Sequence, residues 1–148
     1  LVIDGHLYFE EYAGDQLPLL VVNGQIFALF GLYDYWRHTG DPEVARYIDG
    51  SATTVLERMM PLDRVTNGIS YYCVQAEYCQ SPRWQNAPYH VIHSWQLDTL
   101  QRVTGDTRFS EWAELLRGDW VPLSTSLRSR PESGEISGMG GEADWLEP

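Results

Sequence analysis

The chain has 148 residues, 43% of them apolar and 13% aromatic, which is enough for one domain with a real core. A formal net charge of -11 and a pI near 4.6 oppose binding of nucleic acid or anionic polymers through bulk charge. No apolar run approaches the roughly 18 residues of a membrane span, and Leu1-Val2-Ile3-Asp4 has no basic leader pattern and opens as if in mid-strand, as a fragment of a longer protein would.

Residues Leu1 to Tyr12 read as a strand or two with a turn at Asp4-Gly5. After a loop, a first helix is expected with Asn23 as its cap, running to Arg37 or His38 and stopped by Thr39-Gly40. Asp41-Pro42 then supplies a cap followed by a proline at the first helical position, so a second helix should run to about Met60, before Pro61. Leu62 to Gln75 reads as a hairpin turning at Asn67-Gly68. A polar loop with Pro82 and Pro88 leads to a third helix, about Tyr89 to Val103. Thr104-Gly105-Asp106 ends it and caps a fourth that runs to about Arg117. Residues 1–120 are taken as the domain, and 121–148, rich in Ser, Gly and Glu, as a disordered acidic tail.

Thr39-Gly40-Asp41 recurs as Thr104-Gly105-Asp106, and each copy joins a less amphipathic helix to an amphipathic one. The second helix aligns Val44, Tyr47, Ile48, Ser51, Val55 and Met59 on one face, and the fourth aligns Phe109, Trp112, Ala113 and Leu116. The first is apolar on nearly every side (Ile26, Phe27, Leu29, Phe30, Leu32, Tyr33), as an inner helix would be. The fold class expected is therefore mainly α: an incomplete α/α toroid of inner–outer helix pairs, with a short β-hairpin and an N-terminal strand. Such repeats bury their faces only against neighbours, which calls for further helices upstream.

Six Trp and nine Tyr suit either a sugar-stacking groove or a Trp-rich core. All ten basic residues are Arg, whose planar fork fits carboxylate or sulfate. Cys73 and Cys79 are either free and buried or joined in a small loop, and neither choice fixes a compartment. Strand alternation sends Glu11 to the side opposite Glu10 and Tyr12, and likewise separates Tyr71 from Tyr72. On the third helix Tyr89, His93 and Gln96 stand at i, i+4 and i+7, a polar stripe that faces either a cavity or a neighbouring loop. His90 and His93 have a metal-compatible spacing, yet no third ligand stands out, so no metal is assigned.

Four patches recur in a telling order: Glu10-Glu11-Tyr12; Asn23-Gly24 running into Phe30-Gly31-Leu32-Tyr33-Asp34; Tyr71-Tyr72; and Tyr89-His90-Val91-Ile92-His93 closing on Gln96-Leu97. From about Tyr8 to Trp120 the chain resembles the C-terminal domain of the heparosan-type D-glucuronyl C5-epimerases. The resemblance implies inversion at C5 of D-glucuronate to L-iduronate within a glycosaminoglycan-like polysaccharide such as heparosan or heparan sulfate, without a cofactor. That chemistry needs acid/base groups on opposite faces of one sugar and a counter-charge for its carboxylate. The resemblance places the catalytic glutamate and tyrosines on Glu11, Tyr12, Tyr71 and Tyr89, with Glu11 and Tyr89 as the two acid/base groups; Arg83, His93 and Gln96 are the candidate substrate contacts beside them. The chain departs from the family pattern where Arg83-Trp84 stands farther from Tyr89-His90, and where Tyr72-Cys73-Val74-Gln75 lacks charge.

The implied partner is an acidic polysaccharide, with no nucleic acid and no membrane span in this chain. Upstream domains of the same protein and a homodimer are left open, and the substrate class implies an extracytoplasmic or secretory setting. Two alternatives stand beside the epimerase: a uronate polysaccharide lyase, which shares the first proton removal, and a non-catalytic carbohydrate-binding helical module.

Overall fold

A computed structural model describes residues 1–12, 14, 18–76 and 78–122. The tail assigned from the sequence lies outside the described residues from 123 onward. The chain opens with strands β1 (Val2–Ile3) and β2 (His6–Leu7), antiparallel with Val2 opposite Leu7 and Ile3 opposite His6. The turn between them has Asp4 at φ 49° and Gly5 at φ 80°, both left-handed, which matches the twist of a two-residue hairpin.

The helices are α1 (Val22–Thr39), α2 (Pro42–Thr54), α3 (Met60–Asp63), α4 (Ala87–Thr104) and α5 (Arg108–Asp119). The repeated Thr-Gly-Asp tripeptide makes the same joint twice. Gly40 and Gly105 end α1 and α4 at φ 70° and 77°. The Thr39 and Thr104 hydroxyls donate back to the Tyr35 and Leu100 carbonyls at 3.0 and 2.8 Å, and accept from the Asp41 and Asp106 amides. Asp41 and Asp106 in turn accept from the Glu43 and Arg108 amides at 2.9 and 3.0 Å, satisfying otherwise orphaned donors. Two helical hairpins result, α1–α2 and α4–α5, and they meet through α1 and α4.

Three boundaries differ from the sequence expectation. Asn23 does not cap α1; the helix begins at Val22, and the orphaned Val22 amide donates to the Tyr72 carbonyl. The second helix does not stop at Pro61, because a π-helical turn at Val55–Met59 widens the backbone register ahead of the proline. Helical structure thus runs on through α3 and delivers Asp63 to the interior.

The expected hairpin over 62–75 is absent. Asn67 does turn, at φ 57°, and the Tyr71 amide donates to the Asp63 carbonyl across it at 2.9 Å, but the chain is helical up to Asp63 and the strap bridges other segments, so no hairpin ladder forms. Residues 70–74 form an extended strap between two segments distant in sequence: Val21 bridges Cys73 on one side, and Tyr71 bridges Gln85 on the other. The Val74 amide donates to the Leu20 carbonyl and the Tyr72 amide to the Trp84 carbonyl. These flanking segments run directly into the N-termini of α1 and α4, so the strap fastens both helix starts together.

The core is built from Ile26 and Leu29 of α1, Val55 and Met59 of the π turn, Leu97 and Leu100 of α4, and Phe109, Ala113 and Leu116 of α5. Each large side chain fully withdrawn from water contributes about 1.5–3 kcal/mol. The α5 stripe is as patterned, with Trp112 packed on its edge. The α2 stripe is not: Tyr47 is exposed and donates to Glu43 at 2.9 Å. Nor is α1 buried all round, since Phe27 and Tyr35 are 40% and 54% exposed.

A half-buried ion pair closes the far side. Arg64 Nε and Nη2 donate to Asp119 at 2.6 and 3.1 Å, and the Asn67 amide adds a third bond at 2.9 Å. The bond from Arg64 holds the Asp119 carboxyl below the usual carboxylate range. Its folded-state value being depressed, this stabilisation is present above the unfolded value of about 3.9 and lost as pH falls through the folded one. Asp119→Asn is expected to lower stability by about 1.5 kcal/mol at pH 7, with Arg64 partly solvated, and by progressively less as pH falls; urea melts at pH 7 and pH 3 check this.

Candidate active site

The strap sets the site. Tyr72 projects from it and donates its phenol proton to Glu11 Oε2 at 3.2 Å. Its ring lies 4.6 Å, centroid to centroid, from that of Tyr89 and is stacked on Trp84 at 6.5 Å and 7°. Burial, and then the Glu11 carboxylate, push the Tyr72 phenol well above its ordinary value. Tyr72 therefore keeps its proton at neutral pH and acts as a donor.

Tyr89 occupies the first turn of α4, which starts two residues earlier than patterned. Asn86 caps it, accepting from the Tyr89 amide at 3.3 Å. Arg83 and Trp84 lie on a single 3-10 turn, Pro82–Trp84. The exposed Arg83 guanidinium sits 5.6 Å over the Trp84 ring. Cys73 and Cys79 are joined in a disulfide with Cα atoms 5.4 Å apart, and they pack with Val21, Tyr72, Tyr78 and Trp84. The Tyr78 hydroxyl and the Gln75 amide group both donate to the Pro18 carbonyl.

The segment leading to Glu11 is anchored by Gln25, an almost fully buried amide on α1. Gln25 Oε1 accepts from the Phe9 amide at 2.8 Å, while Nε2 donates to the Leu7 carbonyl at 3.0 Å and the Ser51 hydroxyl at 2.8 Å. These three bonds tie the chain that leads to Glu10 and Glu11 to α1 and α2.

The residues expected from the sequence are therefore distributed as follows. Glu11, Tyr89 and Arg83 come together around Tyr72 and Trp84. Tyr12 is largely exposed beside this group. Tyr71, the expected strap tyrosine, alternates away, and its neighbour Tyr72 meets Glu11 and Tyr89 instead. His93 and Gln96 are fully buried behind Tyr89, presenting nothing to solvent. His93 faces Asp63 and Ser70, and Gln96 donates to the Asn23 carbonyl at 3.1 Å.

His90 takes no part in the cleft. Its Nδ1 accepts from the Ser70 amide at 3.0 Å, so Nε2 carries the hydrogen and donates to the Leu116 carbonyl at 2.9 Å. Burial lowers its pKa and keeps it neutral. Among the described residues no group of three His, Cys, Asp or Glu is placed to hold a metal ion, and no helix is long and apolar enough to cross a membrane.

The described fold is mainly helical, with one carboxylate and two phenols, Glu11, Tyr72 and Tyr89, gathered where the strap meets the starts of α1 and α4. The chain matches the model of the D-glucuronyl C5-epimerase C-terminus over residues 2–117, and it belongs to that family. No curated protein and no solved structure matches it.

Proposed function

We propose that this chain carries the proton-transfer wall of a glucuronyl C5-epimerase, turning D-glucuronate into L-iduronate within an acidic polysaccharide. The observation that supports it most is the contact of Glu11, Tyr72 and Tyr89, three proton-handling groups from three distant segments. In one direction the Glu11 carboxylate takes the C5 proton. The C–H electron pair moves into the neighbouring carboxylate as an enolate, and the Tyr89 O–H returns a proton to C5 from the opposite face. The reverse direction exchanges the two roles. Tyr72, which stays protonated, orients Glu11, and Trp84 offers a flat face for the sugar.

Arg83 meets the substrate carboxylate as negative charge builds on it; among the described residues no side-chain carboxylate pairs with it. Tyr12 lines the rim, while Tyr71, His93 and Gln96 support the wall from within. The two helical hairpins are read as two inner–outer pairs of an α/α toroid, residues 1–120 as the domain and 121–148 as an acidic tail. The disulfide fits an oxidising, extracytoplasmic setting.

The test is C5 proton exchange. Heparosan incubated with the protein in deuterated water should gain deuterium at C5 by NMR without developing the ultraviolet absorbance of an unsaturated sugar. Absorbance together with chain cleavage would make it a lyase, and no exchange would leave a binding module.

A further inference from the structure

Directly beneath Tyr89 lies a polar layer that the proposed chemistry leaves unused. His93 and Asp63 are both fully buried. Asp63 Oδ2 stands 3.2 Å from His93 Nδ1, with the Ser70 hydroxyl at 3.4 Å. A carboxylate only accepts, so Nδ1 carries the hydrogen and Nε2 keeps a bare lone pair. That Nε2 has no protein partner among the described residues, although buried imidazole nitrogens ordinarily have one. His90, three residues earlier, is fixed in the opposite tautomer, and Ser70 of the strap touches both rings.

Helical side chains lean toward the N-terminus, so His93 leans over the turn that carries Tyr89, and their ring centroids are 6.4 Å apart. A buried nitrogen without a protein partner, next to a phenol ring, is the kind of place that a bridging water fills. A buried carboxylate that fixes one imidazole nitrogen as donor readies the other to take a proton, and then faces the imidazolium that forms.

We infer that Asp63 and His93 form a proton relay behind Tyr89, a pair of positioning residues that hold the Tyr89 proton whenever its phenolate is the base. This rests on the epimerase reading of the site. The Tyr89 O–H bond breaks, its electron pair stays on the phenolate oxygen, and the proton passes through one water to His93 Nε2. Glu11 takes one proton from solvent; once Tyr89 has taken the C5 proton and Glu11 has given up its own, His93 releases the held proton through the same water, so one proton enters, one leaves and nothing is oxidised. His90 and Ser70 are the other polar groups facing the pair, and neither takes up the proton: His90 Nε2 is already a donor to Leu116.

The experiment is long-range proton–nitrogen NMR on the protein labelled with 15N-histidine, without substrate. His93 is expected as the Nδ1–H tautomer and His90 as the Nε2–H tautomer. Tyr89→Phe, which keeps the ring, is expected to move the His93 Nε2 resonance and leave that of His90 in place. His93 found as Nε2–H, or unmoved by Tyr89→Phe, overturns the relay. With heparosan, Asp63→Asn is expected to lower kcat for C5 exchange roughly 10²-fold per folded molecule at unchanged KM; full activity per folded molecule overturns it. The first arm contains no substrate, so wild-type protein that couples Tyr89 to His93 but never exchanges C5 loses the epimerase reading and not the coupling.

Discussion

Glu11→Gln is expected to lower C5 exchange by about 10²- to 10⁴-fold while leaving the melting temperature unchanged. Glu11 is exposed, and its one described bond is accepted from Tyr72, so the fold does not depend on its charge. Glutamine keeps the size and can still accept from the Tyr72 phenol, but it cannot take a proton from carbon. The loss should therefore fall on kcat, with KM little changed, because shape and hydrogen bonding survive. Single-turnover exchange in deuterated water beside a thermal melt separates the two effects. Equal exchange by the variant and the wild type would remove Glu11 from the chemistry.

Gln25→Leu should act in the opposite order, first on stability and through it on the site. Leucine fills similar space but strands the Phe9 amide, the Leu7 carbonyl and the Ser51 hydroxyl. Each buried group left unpaired costs about 1–3 kcal/mol. Phe9 and Leu7 are half-buried and can recover water, so the net loss is set at about 3 kcal/mol. The segment leading to Glu11 then loses its anchor, and kcat should drop in the molecules that remain folded. Chemical denaturation measures the first effect. Loss of protection at the Phe9 amide in hydrogen exchange measures the second, and full protection there would show that the segment is held by something else.

The helix starts and stops were legible wherever local chemistry decides them. Asp41-Pro42 and the two Thr-Gly-Asp joints need only a left-handed glycine and a short acceptor. Pro61 misled because a π turn upstream absorbs it, and nothing in a local pattern reveals such a turn. The hairpin over 62–75 failed for a related reason: Asn67-Gly68 does turn, but what its second arm pairs with is decided by chain far away. Motif order pointed to Glu11 and Tyr89, and the structure brings both against Tyr72. Tyr72 was not, because alternation says that two adjacent tyrosines part without saying which faces the cleft. Gln25 and Asp63 carry no local signal in the sequence, since their partners are brought by other segments. Trp84 was noticed only as the neighbour of Arg83, although the aromatic excess hinted at a stacking surface.

The strap has a kinetic consequence. The two helical hairpins close through contacts a few residues apart and so fold fast, whereas the 70–74 segment must find chain some 50 residues before it and 14 after it. Contacts of long sequence separation form late, because loop entropy must be overcome before they reward it. On refolding, helical circular dichroism should recover ahead of the near-ultraviolet signal of Tyr72, Trp84 and Tyr89. Activity would then appear only in the last species, and a chain whose helices have docked in the wrong order would remain silent toward substrate instead of acting on it imperfectly.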